Sequence, residues 1–254
     1  MAKVNTTQAF YEQLSSVAAH FNHSLFDDAL PSPLFTLKRG LGPLGYATTD
    51  RWVRGEGESI CEITLNPALF SRLPWLALFQ TIVEQQCRIW QHLHGTPGRV
   101  GYCNSELANK LTAVGLIPSS TGEPGGKRVG QGIATYIEPD GKFLNACISY
   151  VKGGARSAAS IRWTNDDAQK ASWLPKNLGL ASSVEARLAA SIGPYSDSPE
   201  LLARVDLEEK KRKQKYSCPG CGASVWGRPG LAISCGPCSF TMKESALRAG
   251  ARSA

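Results

Sequence analysis

The sequence predicts an α+β chain that ends in a zinc ribbon, and three observations carry that reading. Apolar residues recur at helical spacing over 6–25 and 75–94, and between them lie three short stretches of strand character. The last four of the eight cysteines stand in the spacing C-x2-C-x13-C-x2-C. The net charge of +7 is also unevenly placed: from Lys210 onward there are nine Lys/Arg and one acid, against 19 basic and 20 acidic groups before it. These divide the chain into a mixed domain over 1–150, an extension and linker over 151–209 with no clear period, and a basic segment over 210–254 that holds the ribbon at 216–242.

Composition excludes several classes. A chain of 254 residues, 42% apolar and 19% charged, is globular and buries roughly 70% of its unfolded surface without disulfide staples. Its longest nearly apolar stretch, Leu73 to Phe79, is far too short to span a bilayer. The start M-A-K-V-N-T-T-Q-A-F lacks the apolar run of a secretory signal. No membrane partner is expected, and the cytoplasm is the expected location.

Each element has a local reason. Phe10, Leu14, Val17, Phe21 and Leu25 form the stripe of a first helix, which Pro31 and Pro33 close off. F-T-L-K-R (35–39) and G-Y-A-T-T-D-R-W (45–52) read as strands paired around the Gly40–Gly45 turn, and S-I-C-E-I-T-L-N (59–66) as a third strand before Pro67 and a short helical segment. Pro74 opens the strongest helix, Trp75 to His94, with Phe79, Ile82, Val83, Ile89, Trp90 and Leu93 on its apolar side and Gly95 as C-cap. A further helix is expected from Ser105 to Val114, a long Gly/Pro-rich loop over 115–132, a strand over 142–151, and a helix or charged linker over 201–215.

The terminal cysteines read as metal ligands. Cys218 with Cys221, and Cys235 with Cys238, each occupy one tight turn, and two such turns complete a tetrahedron of thiolates around one structural Zn2+. Pro219-Gly220 and Gly236-Pro237 supply the bends, and the stretch between the pairs reads as two short strands about a Gly227–Gly230 turn. So small a unit needs its metal to fold, a contribution on the order of 10 kcal/mol. The ribbon either only folds a terminal knob or presents basic residues to nucleic acid. Lys210, Lys211, Arg212, Lys213, Lys215 and Arg228 are the candidate phosphate contacts. Tyr216 and Trp226 either stack on exposed bases or pack the ribbon core. The basic segment meets a polyanion or keeps the chain solvated.

Two phosphate-loop patterns fail on context. Gly40-x-Gly42-x-x-Gly45 is followed by strand residues, where a dinucleotide site needs a helix N-terminus. Gly125-Gly126-Lys127-Arg128 carries arginine where a P-loop needs Ser or Thr.

Beyond these local readings, F-N-H-S-L-F-D-D-A-L-P (21–31), the segment 35–52, I-T-L-N-P (63–67), W-Q-H-L-H-G (90–95), G-R-V-G-Y-C-N-S-E-L-A (98–108) and G-L-I-P-S-S-T-G-E-P-G-G-K (115–127) occur in one order, followed by the ribbon. In this the chain resembles the SprT-like family, zincin-fold relatives of the Spartan protease, over about residues 7–150 and 216–242. The resemblance implies a small twisted sheet packed on a metal-binding helix, and zinc-dependent proteolysis, in some members of proteins attached to DNA. It also implies H-E-x-x-H on that helix, with two imidazoles one turn apart holding zinc and a glutamate activating water.

At those positions this chain reads V-E-Q-Q-C. Val83 stands for the first histidine, Glu84 remains where the general base would be, Cys87 stands for the second histidine and Cys103 for the third. Val83 offers no electron pair. Cys87 and Cys103 bind a metal, form a redox pair or pack as small apolar side chains. Glu84 has a plain alternative in Arg88 at i+4, an ion pair worth about 0.3–0.5 kcal/mol. His94 sits roughly 16 Å along the helix from Val83, too far to replace it; His92 faces elsewhere, and His20 and His23 belong to the first helix.

The expectation is therefore an SprT-like protein with an inactivated protease site, no catalytic residues, and a binding role. Nucleic acid would engage the ribbon and basic segment, and a protein or peptide the former substrate cleft by strand addition. Two alternatives stand beside it: a zinc metallopeptidase with non-standard ligands, and a purely structural protein-interaction module.

Overall fold

In a computed structural model of the chain, the structure describes residues 5–40, 42–70, 73–153, 182–192, 214–227 and 230–244. The chain divides into two compact units, residues 1–205 and 206–254. No helix among the described residues is long and apolar enough to cross a membrane.

The first unit mixes helices with small sheets. Helix α1 (Thr6–Phe26) starts at Asn5, whose side chain accepts from the Gln8 amide, and buries Leu14, Val17, Phe21 and Phe26. Strands β1 (Leu34–Leu37), β2 (Gly45–Arg54) and β3 (Glu58–Leu65) form one sheet in the order β1-β3-β2. The expected pairing of 35–39 with 45–52 does not occur. β1 runs parallel to β3, with Phe35 opposite Ile63, and β2 runs antiparallel to it, with Ala47 opposite Ile63. The reason is burial: β3 closes on five consecutive buried residues, Cys61 to Leu65, so it takes the centre and leaves both neighbours as edges.

A 3-10 turn at Pro67–Leu69 follows, then α2 (Trp75–His94), which packs on the sheet. Gly45 makes that packing possible, because a Cβ there would lie 2.8 Å from Thr81 Cγ2. Gly95 ends α2 as expected but in extended conformation, not left-handed. Strand β4 (Tyr102–Cys103) and helix α3 (Ser105–Ala113) come next, and Asn104 caps α3 by accepting from the Leu107 amide. The expected loop over 115–132 is bracketed by strands β5 (Leu116–Ser119) and β6 (Gly130–Gln131). β5 pairs with β7 (Ala134–Ile137), which the sequence reading missed, and β6 pairs with β4.

Residues 142–152 are helix α4 (Lys142–Lys152), not the expected strand. Phe143, Leu144, Cys147 and Ile148 are buried at helical spacing. That stripe meets an aromatic cluster in which Phe21 lies 5.7 Å from Phe143 and 5.6 Å from Phe79. The β-branched and aromatic residues of this segment suggest a strand, but their period is that of a helix. Within the span 152–200, α5 (Ser182–Ile192) adds Val184 and Leu188 to the same core, and Arg187 pairs with Asp140 at 3.1 Å. Residues 154–181 and 193–213 lie outside the described residues.

The second unit carries a three-stranded sheet in the order β10-β8-β9, from β8 (Gln214–Ser217), β9 (Ser224–Gly227) and β10 (Lys243–Glu244). Among the described residues, only one of the two strands expected between the cysteine pairs forms, as β9. Its partner is β8, which precedes the first cysteine, while Ser234 makes a single bridge to Thr241.

Candidate metal centre

Cysteines meet in two settings in this chain, and the settings differ. In the first unit, Val83, Glu84 and Cys87 lie mid-way along α2, and Cys103 is brought towards them by the short β4–β6 pair, where it faces Gly130. Val83 and Cys87 are 0% exposed and Cys103 2% exposed, all within the main hydrophobic core. Burial pushes the thiols of Cys87 and Cys103 up, and the charges of Lys110 and Arg88 offset only part of that for Cys87, so both pack as neutral groups.

Glu84 does not form the expected ion pair with Arg88. It accepts a hydrogen bond from the Thr135 hydroxyl of β7. Gln80 Nε2 donates to the same hydroxyl at 2.7 Å and to the Thr135 carbonyl at 3.1 Å. Burial pushes the Glu84 carboxyl up, and the Thr135 hydrogen bond and the charge of Arg88 pull it only partly back. A hydroxyl partner in a desolvated site displaces a solvated pair that would be worth little.

The histidines are engaged elsewhere. His20 bonds the Ala146 carbonyl at 2.9 Å, and His23 pairs with Asp28 at 2.8 Å. His92 lies 3.3 Å from Asp50 and 3.2 Å from the Thr49 hydroxyl, and His94 lies 3.4 Å from the Ala29 carbonyl. Among the described residues, no three His, Cys, Asp or Glu side chains of the first unit converge closely enough to hold an ion.

The ribbon is the opposite case. Cys218, Cys221, Cys235 and Cys238 bring their sulfurs within 4.8 Å of one another, with Cys221 and Cys235 at 3.6 Å. A metal–thiolate bond of about 2.3 Å sets the edge of an S4 tetrahedron at roughly 3.8 Å, so the four sulfurs fit one tetrahedral ion. Two matching turns make the cluster. Gly222 bonds back to the Cys218 carbonyl at 3.0 Å, and Ser239 to the Cys235 carbonyl at 2.7 Å; both residues take left-handed φ, +74° and +55°. In the first turn the Gly220 amide donates to Cys218 Sγ at 3.4 Å.

Backbone donors, that of Cys221 foremost, lower the Cys218 thiol to about 7, whereas Cys238, whose proton is held by the sulfurs of Cys221 and Cys235, is pushed up to about 12. Four thiols so placed do not ionise together by themselves; a cation between them does that. The cluster therefore fits one metal ion, held by these four side chains.

Of the expected nucleic-acid contacts, Lys210, Lys211, Arg212, Lys213 and Arg228 lie outside the described residues, while Lys215 is exposed on β8. Tyr216 is core, 1% exposed, and its hydroxyl accepts from the Leu231 amide at 3.1 Å; a stacking role for it is corrected to packing. Trp226 is 66% exposed. It sits opposite Lys215, and on the same face Ser217 pairs with both Ser224 and Lys243. Lys243 and the two serines were missed, although the alternation of Lys215 and Ser217 about Tyr216 puts the two polar residues of β8 on one face. Comparison of the chain with family models, with curated proteins and with solved structures finds no match to any of the three.

Proposed function

We propose that the chain is a binding protein of SprT-like descent whose hydrolytic centre has been replaced by hydrophobic core, and whose ribbon holds one zinc ion and engages nucleic acid. The observation that carries this reading is Val83. An aliphatic side chain, 0% exposed, stands where a first metal ligand would be, between neighbours that pack as neutral thiols. Zinc is the ion of choice for the ribbon because four thiolates in a closed tetrahedron suit a structural zinc site.

The ribbon face supports the nucleic-acid part. Lys215 stands opposite an exposed indole, and on the same face Ser217 and Ser224 offer hydroxyls, with Lys243 beside Ser217 on the far strand. Lysines neutralise phosphates without reading sequence, and an exposed tryptophan stacks on any unpaired base. Single-stranded nucleic acid fits such a face better than a duplex, whose bases are already stacked. A protein partner has a second place to bind: β2 is a sheet edge, and a register shift between Thr48 and Trp52 restricts strand addition to its two ends.

The alternative of a metallopeptidase draws its support from Glu84, a desolvated carboxyl with a raised pKa, as a general base or acid requires. It would need a second ion at Cys87 and Cys103 and one further ligand, against the burial of both thiols.

The test is a titration of the zinc-loaded full chain with a labelled single-stranded oligonucleotide at several salt concentrations. The proposal expects affinity that falls steeply with salt, weakens on Trp226→Ala, and loses salt dependence when Lys215 and the 210–213 run are neutralised. Affinity that is absent, or indifferent to both changes, would leave the ribbon a folding device only.

A further inference from the structure

The four ribbon cysteines are not equivalent. The first of each turn is buried, and backbone amides donate to its sulfur: those of Gly220 and Cys221 to Cys218, and that of Cys238 to Cys235. The second of each turn is more open, for Cys238 is half-buried and Cys221 is exposed. The approach beside Cys221 is open too. A Cβ at Gly222 would meet nothing within 4 Å, whereas one at Gly220 would lie 2.8 Å from the Phe240 ring and 3.4 Å from Cys238 Cβ. Cys235 Sγ stands 3.6 Å from Cys221 Sγ, from the opposite turn.

A bound ion keeps such sulfurs as thiolates at neutral pH. An accessible thiolate beside a second sulfur is the arrangement that peroxides oxidise in two steps. The cysteines of the first unit offer the contrast. Cys61, Cys87, Cys103 and Cys147 are buried, and burial pushes all four thiols up, so they stay protonated and do not compete.

We infer that Cys221 is a site of oxidation by hydroperoxides, and that its disulfide with Cys235 frees the ribbon's metal. The inference rests on the zinc reading of the cluster and not on the nucleic-acid part. In the first step the Cys221 thiolate attacks a peroxide oxygen and the O–O bond breaks. Cys221 becomes a sulfenic acid, and the leaving alkoxide, or hydroxide from hydrogen peroxide, takes a proton from water. In the second step the Cys235 thiolate attacks the Cys221 sulfur. The S–O bond breaks, and hydroxide leaves and takes a proton from solvent. The two sulfurs lose two electrons, and one peroxide is reduced. Cys218 and Cys238 remain, half of the set that a structural zinc site needs.

The test exposes the zinc-loaded full chain to hydrogen peroxide. A colorimetric chelator reads zinc release, a 1,3-diketone traps sulfenic acid, and acid-quenched samples are mapped by mass spectrometry. The expected result is zinc release in step with a first bridge between Cys221 and Cys235, the trap on Cys221, and no change at the four cysteines of the first unit. Cys221→His keeps four ligands and should hold its zinc through an exposure that empties the wild type, whereas Cys238→His should lose it as the wild type does. If a variant fails to load, the mapping of the wild type decides alone. Zinc that stays bound, a first bridge that omits Cys221 or Cys235, or earlier oxidation of Cys87 or Cys103 overturns the inference. A chain that holds no zinc before treatment overturns the metal reading itself, and this inference with it.

Discussion

The two cysteine settings, α2 with Cys103 and the ribbon, use the same side chain for opposite ends. In the core, burial pushes the thiols of Cys87 and Cys103 up, and the charges of Lys110, Arg88 and Arg128 offset only part of that. In the ribbon, two turns closed by the same backbone bond bring four sulfurs together, and in the first of them the Gly220 amide donates to Cys218 Sγ. Whether a cysteine is a ligand or a small hydrophobe is decided by convergence, and convergence here comes from turn geometry.

The largest effect that separates the two settings is metal removal. Chelation, or Cys218→Ser, should unfold the ribbon, since the bound ion supplies on the order of 10 kcal/mol to so small a unit. Amides over 214–244 should lose hydrogen-exchange protection while the thermal transition of the first unit stays in place. The matching change in the core is Cys87→Ser, which places a hydroxyl in a desolvated site and should cost the first unit about 1–3 kcal/mol with no change in bound metal.

Next comes Val83→His. A working metal site would welcome an imidazole at that position. A filled core would not, and denaturant unfolding of the first unit should show a loss of about 2–4 kcal/mol from overpacking and an unsatisfied ring nitrogen. A gain of bound zinc with no loss of stability would redraw the comparison.

Two carboxylates shifted in opposite directions sharpen it through pH. Glu84 titrates above the usual range in the folded state, so its contribution is full below the unfolded carboxyl pKa and drains away as pH rises through the folded value. Glu84→Gln should therefore gain on the wild type as pH rises. Glu62 is the reverse: desolvation pushes it up, but the hydrogen bonds from Thr36, Trp52 and Thr64 outweigh it and hold it low. Its contribution is present above the unfolded pKa and is lost as pH falls through the folded one, so Glu62→Gln should cost stability at neutral pH and little in acid. Urea midpoints at two pH values check both signs.

The smallest effect lies within the ribbon. Ser239 holds the left-handed position that Gly222 holds in the matching turn. Ser239→Gly should raise the ribbon's stability by less than about 1 kcal/mol, read as slower metal loss to a chelator.

Much of this was legible in the sequence because the signals are local. The stripes of α1 and α2 and the cysteine spacing each specify their own element. Pairing was not legible, because it depends on which strand is most buried: β3 takes the centre by its run Cys61 to Leu65, and no turn residue between β1 and β2 announces that. Helix α4 was missed because Ile148, Tyr150 and Val151 favour strands by type while Phe143, Cys147 and Ile148 are spaced for a helix. The partner of Glu84 was missed for a related reason: Thr135 lies 51 residues away and reaches the carboxylate only through the β5–β7 pair.

The most direct measurement is the metal content of the purified full chain, counted for the wild type and for the Cys218→Ser, Cys235→Ser double variant. One equivalent of zinc per chain, lost in the double variant, is the predicted result. Two equivalents, with one retained by the double variant and released by Cys87→Ser, would place a metal in the first unit and contradict the account.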